Sequence, residues 1–167
     1  KTGDGYSLTG VKRHAFYADS AEALIVPARS DHGVDLFIVP ADSAGLTQTK
    51  QESIASDNQF RIDLDGVTVP ESARLGEPGT GWSHWHATLM DGAVLLAAMA
   101  VGAAEAVHLI TVEYSKERHQ FDKPLAAFQA LNHMMADGRT EIDGARVLVH
   151  QAGWARDTSR PIEKLAP

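Results

Sequence analysis

Few side chains in this chain have both the type and the spacing to do chemistry. His84-Trp85-His86 offers two imidazoles at alternate positions, as a metal pair would. No third ligand stands at metal spacing, and without cysteine the set would need distant Asp or His. Gly79-Thr80-Gly81 and Gly3-Asp4-Gly5 are glycine pairs of the phosphate-loop kind. Neither follows a strand and opens a helix with a third glycine and a later acid, so both read as turns. Arg118 stands just past a helical stretch, where a guanidinium complements the helix dipole, and Asp91 lies early in that stretch, where a carboxylate does the same. Glu22, Asp31, Asp35 and Asp42 read as a solvated acidic face that aids solubility.

The elements that must carry these groups change character near residue 80. The first 80 residues hold eight of the 14 glycines but only nine alanines, against 16 alanines beyond them, which marks a switch from strand to helix habit. Ala23-Leu24-Ile25-Val26 and Val34-Asp35-Leu36-Phe37-Ile38-Val39 are short apolar runs around the turn-rich Arg29-Ser30-Asp31-His32-Gly33. Phe60, Ile62 and Leu64 alternate with Arg61, Asp63 and Asp65, the period of a strand with one wet face. Gly66 is expected to break that run before Val67-Thr68-Val69-Pro70. Strands this close predict antiparallel hairpins in a sandwich or barrel.

From His84 to Lys116 there is no proline and alanine dominates, which predicts a long helix. Ala93 to Val112 is apolar enough to raise a membrane span, but Glu105 and His108 interrupt it and its small residues suit helix packing, so no membrane is expected. A second helix is expected from about Pro124, where proline loses no helical bond. Its stripe runs Phe128, Leu131, Met135, Ile142, Ala145, Val149 and Ala152, with Gly138 in the gap, and a turn follows at Asp157–Pro161. Two such helices alone leave apolar surface uncovered, so a fragment or an obligate assembly is expected. The 22 acidic against 15 basic residues exclude a nucleic-acid binder held by a basic surface, and the lack of cysteine excludes disulfide scaffolds and thiol catalysis. No apolar leader stands in Lys1 to Gly10, so an intracellular, cytoplasmic protein is expected.

Three stretches together resemble the acyl-CoA dehydrogenase family of flavoproteins. Gly5-Tyr6-Ser7-Leu8-Thr9-Gly10-Val11-Lys12 is similar to the strand that enters the family's middle β-domain. Val67-Thr68-Val69-Pro70, through Leu75-Gly76 to Gly79-Thr80-Gly81-Trp82, is similar to the exit from it. Tyr114 to Leu125 and then Phe128-Gln129-Ala130 resemble the "YaxxRxQFGxPixxFQa" segment between two C-terminal helices. The resemblance implies an α+β chain: an antiparallel β-sandwich or barrel, partial at its start, over 1–80, then long antiparallel helices of an incomplete four-helix bundle over 81–167. It also implies that the chain is a central piece of a family member.

By the same resemblance Arg118, Gln120 and Phe121 would meet the FAD of a neighbouring subunit, with Arg118 suited to the pyrophosphate by its fixed charge and fork of donors. Phe128 and Gln129 would line the same cofactor site. The implied reaction removes the α-proton of an acyl-CoA thioester while the β-hydrogen leaves as hydride to flavin N5, in a tetramer that passes electrons to an electron-transfer flavoprotein. The family strand continues after its lysine with an aromatic and a hydroxyl residue beside the flavin; here His14 and Phe16 hold those positions. Asp122 replaces the usual glycine after Phe121, which implies a less tight turn. No catalytic base is found: where some members carry an early "ER" pair stand Gly92 and Ala93, so the base is expected outside this chain and the piece alone is expected to be inactive. These departures also fit an alternative, a non-catalytic structural partner in a hetero-oligomeric dehydrogenase.

Overall fold

The computed structural model describes residues 3–55 and 57–160. The chain divides into two compact units, Lys1–His86 and Ala87–Pro167.

The first unit holds strands β1 (Gly5–Phe16), β2 (Ala23–Ser30), β3 (Gly33–Pro40), β4 (Leu46–Gln51), β5 (Gln59–Pro70) and β6 (Arg74–Leu75). They pair antiparallel in two three-stranded sheets, ordered β1-β5-β4 and β2-β3-β6. Leu8, Phe60, Ile62, Leu64, Val67 and Val69 of one sheet meet Val26, Phe37 and Val39 of the other in a single core. Each such side chain contributes about 1.5–3 kcal/mol on full burial. The two apolar runs form the β2–β3 hairpin, closed by the two residues Asp31 and His32 between Ser30 and Gly33. Pro27 is tolerated because β2 is an edge strand, where a missing N–H breaks no inner ladder.

The strand expected to break at Gly66 runs on to Pro70. Gly66, at φ 63°, sits with Asp65 in a bulge where the register jumps from Gly10↔Leu64 to Leu8↔Val67. The bulge switches inward-facing positions from even to odd numbers, so Val67 and Val69 reach the same core as Phe60, Ile62 and Leu64. Asp35 is not on a wet face, although Glu22, Asp31 and Asp42 are exposed. It is 1% exposed, and its Oδ1 accepts the Gly79 N–H at 2.7 Å. Burial pushes its carboxyl up, but hydrogen bonds from Ser30 and Gly79 and the charges of Arg74 and His32 outweigh that and hold it below the usual range.

Helix α1 (Gly81–Glu117) and helix α2 (Gln129–Asp157) follow. Gly81 opens α1 against the backbone of β3: a Cβ there would lie 2.7 Å from the Val34 carbonyl oxygen. In the second unit Met135, Gly138, Ile142, Ala145, Val149 and Ala152 form the covered stripe of α2, while Leu131 is exposed. Leu95, Met99, Val107 and Ile110 of α1 are exposed as well. Among the described residues α1 alone is long and apolar enough to cross a membrane. Its Glu105, however, forms ion pairs with Arg139 and Arg146 of α2, which is the signature of a helix–helix face.

The second helix starts at Gln129, not near Pro124. Pro124 belongs to a miniature hairpin of β7 (His119–Gln120) and β8 (Lys123–Pro124), and a single 3₁₀ turn spans Leu125–Ala127. Pro124 and Phe128 both have extended ψ, 149° and 115°, which stops a helix from passing through them. The turn after Trp154 is described as far as Arg160; Pro161 lies outside the described residues.

Candidate functional site

The segment between the helices, from Arg118 to the first residue of α2, carries all five residues singled out by the resemblance, with Gln120 and Phe121 in its hairpin. Helix α1 closes with the Arg118 N–H donating to the Tyr114 carbonyl at 2.9 Å, and the Arg118 carbonyl accepts from Leu125 N–H at 2.8 Å. That second bond ties the foot of the hairpin, so β7 and β8 project as a two-rung ladder, His119 opposite Pro124 and Gln120 opposite Lys123. The loop is two residues, Phe121 at φ 53° and Asp122 at φ 61°. Positive φ at both central residues is what a two-residue hairpin with the natural strand twist requires. The less tight turn expected from Asp122 is therefore not found, because a short polar side chain tolerates the left-handed region.

Phe121 has no such excuse. A bulky residue in that region costs about 1–2 kcal/mol, and its ring is 85% exposed. Strain and exposure in one aromatic residue mark a position held for contact with something else. Its ring meets Phe128 edge-on at 6.2 Å, and the Lys123 ammonium lies 4.2 Å over the Phe128 ring. Phe128 is half-buried and stands at the N-cap of α2, with Gln129 exposed as the first helical residue. Arg118 and Gln120 are exposed, and among the described residues nothing pairs with the Arg118 guanidinium. The structure thus brings Phe121 and Phe128 together and sets Arg118, Gln120 and Gln129 on the same short segment.

This donor set fits a dinucleotide cofactor. An uncompensated guanidinium and a lysine suit pyrophosphate oxygens, two amides can donate or accept at polar ring edges, and the exposed aromatic offers a stacking face.

A model of the acyl-CoA dehydrogenase C-terminal domain matches residues 79–167. The probable acyl-CoA dehydrogenase YngJ of Bacillus subtilis is 36% identical, over 98% of this chain and 46% of its own. The chain belongs to the acyl-CoA dehydrogenase family. The butyryl-CoA dehydrogenase structure from Megasphaera elsdenii superposes with a TM-score of 0.93 at 34% identity, over 99% of this chain and 46% of that one. A chain in the electron transferring flavoprotein structure of Acidaminococcus fermentans does so with a TM-score of 0.93 at 33% identity, over 99% and 46%. The chain spans a little under half the length of the relatives it matches.

Asp91 is bound rather than free. Its Oδ2 accepts from Arg156 Nη2 at 2.9 Å, and Arg156 Nε lies 2.5 Å from Oδ1, so the carboxylate nearest the early "ER" position is a strut between α1 and α2. Glu105 is likewise engaged: Arg146 first, then Arg139, hold its carboxyl below the usual range. Arg146 Nη2 reaches Glu105 at 2.6 Å but off its N–H axis, so this contact is an ion pair more than a hydrogen bond. At Gly138 an added Cβ would lie 3.7 Å from His108 Nδ1, an ordinary van der Waals distance. Among the described residues no cluster of three His, Asp or Glu could hold a metal.

Lys123 and the two interhelical struts were not singled out by sequence. The spacing of Arg139 and Arg146, seven residues apart on one helical face, is the signal that could have paired them with Glu105.

Proposed function

We propose that the full-length protein is an FAD-dependent dehydrogenase that forms an α,β double bond in an acyl-CoA. The observation that carries this reading is the strained, exposed Phe121 beside an unpaired Arg118, on the hairpin of a family member. In this reading residues 1–80 form the middle β-domain and 81–167 the opening of the helical domain. Arg118 neutralises the pyrophosphate, Gln120 and Gln129 orient the cofactor by hydrogen bonds, and Phe121 covers an apolar part of it while excluding water, its ring braced by Phe128, over which the Lys123 ammonium lies. When bound, the flavin accepts the β-hydrogen of the substrate as hydride.

The base that takes the α-proton lies outside this chain, because Gly92 and Ala93 carry no acid and Asp91 is committed to Arg156. The relative from Megasphaera elsdenii is a butyryl-CoA dehydrogenase, which supports a short acyl-CoA as the first substrate to try. The similarity to a chain in an electron transferring flavoprotein structure supports that class of acceptor. A cytoplasmic tetramer completes the proposal, with the hairpin of one subunit meeting the FAD of its neighbour. A second reading, a structural partner subunit without catalysis, is favoured by the loss of the acid–arginine pair at Gly92 and Ala93.

Turnover separates the two. The purified full-length protein, given butyryl-CoA and a dye acceptor, should yield a product lighter by two hydrogens, seen by mass spectrometry. Flavin-loaded protein that forms no such product from any short or branched acyl-CoA would favour the structural partner.

A further inference from the structure

The β-unit holds a cleft of about 360 Å³ where the edges of its two sheets meet the first turns of α1. Lys12 of β1, Pro27 and Arg29 of β2, Val34 of β3, and Trp82 and Trp85 of α1 line it. Its walls are mostly apolar, and Trp82, 57% exposed, keeps an open indole face. Lys12 and Arg29 are the only charged residues of the lining, so no carboxylate stands there to balance them. Two cations among apolar walls, with no acid between them, are half of an ion pair.

Lys12 is held in place by the fold. Its strand and β2 are edge strands of the two sheets, and the Lys12 Nζ crosses between them to donate to the Pro27 carbonyl at 2.5 Å. The side chain is half-buried, and burial pushes its pKa below the ordinary lysine value. The carbonyl takes one of the three N–H donors, which leaves the ammonium with free donors and no counter-ion. A partly buried charge without a partner is costly, and an anion brought from solution removes that cost. Arg29 adds an exposed guanidinium, with no side-chain partner among the described residues, and its fork of donors matches a carboxylate. The indoles, Pro27 and Val34 give nothing to a hydrated inorganic anion, but they can cover an aliphatic chain.

We propose that this cleft binds a short aliphatic carboxylate, its anionic head held by Lys12 and Arg29 and its chain laid against Trp82 and Trp85. Such an anion is what hydrolysis of a short acyl thioester releases. The inference goes beyond the flavin reading and does not depend on it, since none of these four residues belongs to the segment from Arg118 to Gln129. Binding supplies the counter-ion that the fold withholds, and each CH₂ covered by the indoles adds to the affinity.

The test is ligand-observed NMR on the full-length protein at constant ionic strength, with butyrate as the probe. Saturable magnetisation transfer from protein to the butyrate methyl is expected. Acetate, with two fewer CH₂ groups to bury, should bind about tenfold more weakly, and uncharged butyramide should not compete. Arg29→Met should weaken butyrate binding about tenfold or more, through loss of a charged hydrogen-bonding partner, with the thermal midpoint unchanged because Arg29 is exposed. Lys12→Met should weaken it too, but it also loses the Pro27 bond, so Arg29→Met is the deciding variant. An affinity unmoved by Arg29→Met, or butyramide competing as well as butyrate, overturns the anion site. Acetate or sulfate competing as well as butyrate overturns the aliphatic ligand. Protein that takes up no FAD yet binds butyrate in this way refutes the proposed function and leaves the site standing. Protein that holds flavin but shows no saturable butyrate signal overturns the site and leaves the proposed function untouched.

Discussion

Asp35 is the buried charge on which the start of α1 depends, and its removal can be worked through in numbers. Its carboxylate accepts from Gly79 N–H at 2.7 Å and from Ser30, and α1 begins two residues after Gly79 with Gly81 against the Asp35 backbone. A hydrogen bond to a charged group contributes about 1.5–3 kcal/mol, against which stands the loss of solvation of the carboxylate. Asp35→Ala removes both bonds and leaves a half-buried donor at Gly79, for an expected loss of about 3 kcal/mol. With a urea slope of about 1–3 kcal/mol per molar, the midpoint should fall by about 1–3 M. Asp35→Asn keeps an acceptor for Gly79 and should lose less. Urea titration of the full-length variants, followed by tryptophan fluorescence, reads both, since Trp82 and Trp85 lie in the first turns of α1. The sign with pH follows from the folded carboxyl lying below its unfolded value. The contribution is present above about pH 4, the unfolded aspartate value. It is lost as pH falls through the folded value, so wild type and Asp35→Asn should converge there. Equal midpoints for wild type and Asp35→Ala at pH 7 would contradict the stabilising role of the Asp35 carboxylate.

Other outcomes follow from the same geometry. Gly81→Ala should destabilise the β-unit by about 3 kcal/mol or more, since its Cβ meets backbone that cannot swing aside; thermal melting checks it, and an unchanged midpoint contradicts the close approach. Phe121→Gly should stabilise the hairpin by about 1 kcal/mol through relief of the left-handed strain, yet lose FAD faster on dialysis. Arg118→Ala should also lose FAD faster, with no gain in stability; flavin absorbance after dialysis measures both variants. The Glu105 carboxyl, depressed by Arg146 and Arg139, should stabilise the helix pair above the ordinary glutamate value and lose that effect as pH falls through its lower folded value. Glu105→Gln should remove that pH dependence in melting curves between pH 3 and 7.

What could be read from sequence was what depends on local pattern. The alternation of Phe60, Ile62 and Leu64 and the apolar runs around Asp31-His32 fixed strands and hairpin, because a two-residue period leaves few alternatives. Gly66 misled because a glycine marks a break and a bulge equally well, and only the partner strand tells them apart. Pro124 misled in the same way: proline fits the first turn of a helix, and it fits the strand that the Leu125–Arg118 bond makes of it. Asp35 looked solvated since aspartate usually is; its partners Gly79 and Arg74 lie about 40 residues on in the chain. The candidate residues from Arg118 to Gln129 were found through motif resemblance, whereas the strain at Phe121 is a backbone property that no residue type announces. The contact of the His14 Nδ1 with Gln59 Oε1, 2.7 Å apart, was invisible for a related reason, being a matter of register between strands 45 residues apart.

The proposed function requires this hairpin to serve an acyl-CoA-reducible flavin. It is tested most directly by the visible absorption spectrum of the full-length protein, purified without added cofactor and titrated anaerobically with butyryl-CoA and then with longer and branched acyl-CoAs. A flavin band that bleaches with one of them is the expected result. A protein that stays colourless even after FAD is added would contradict it.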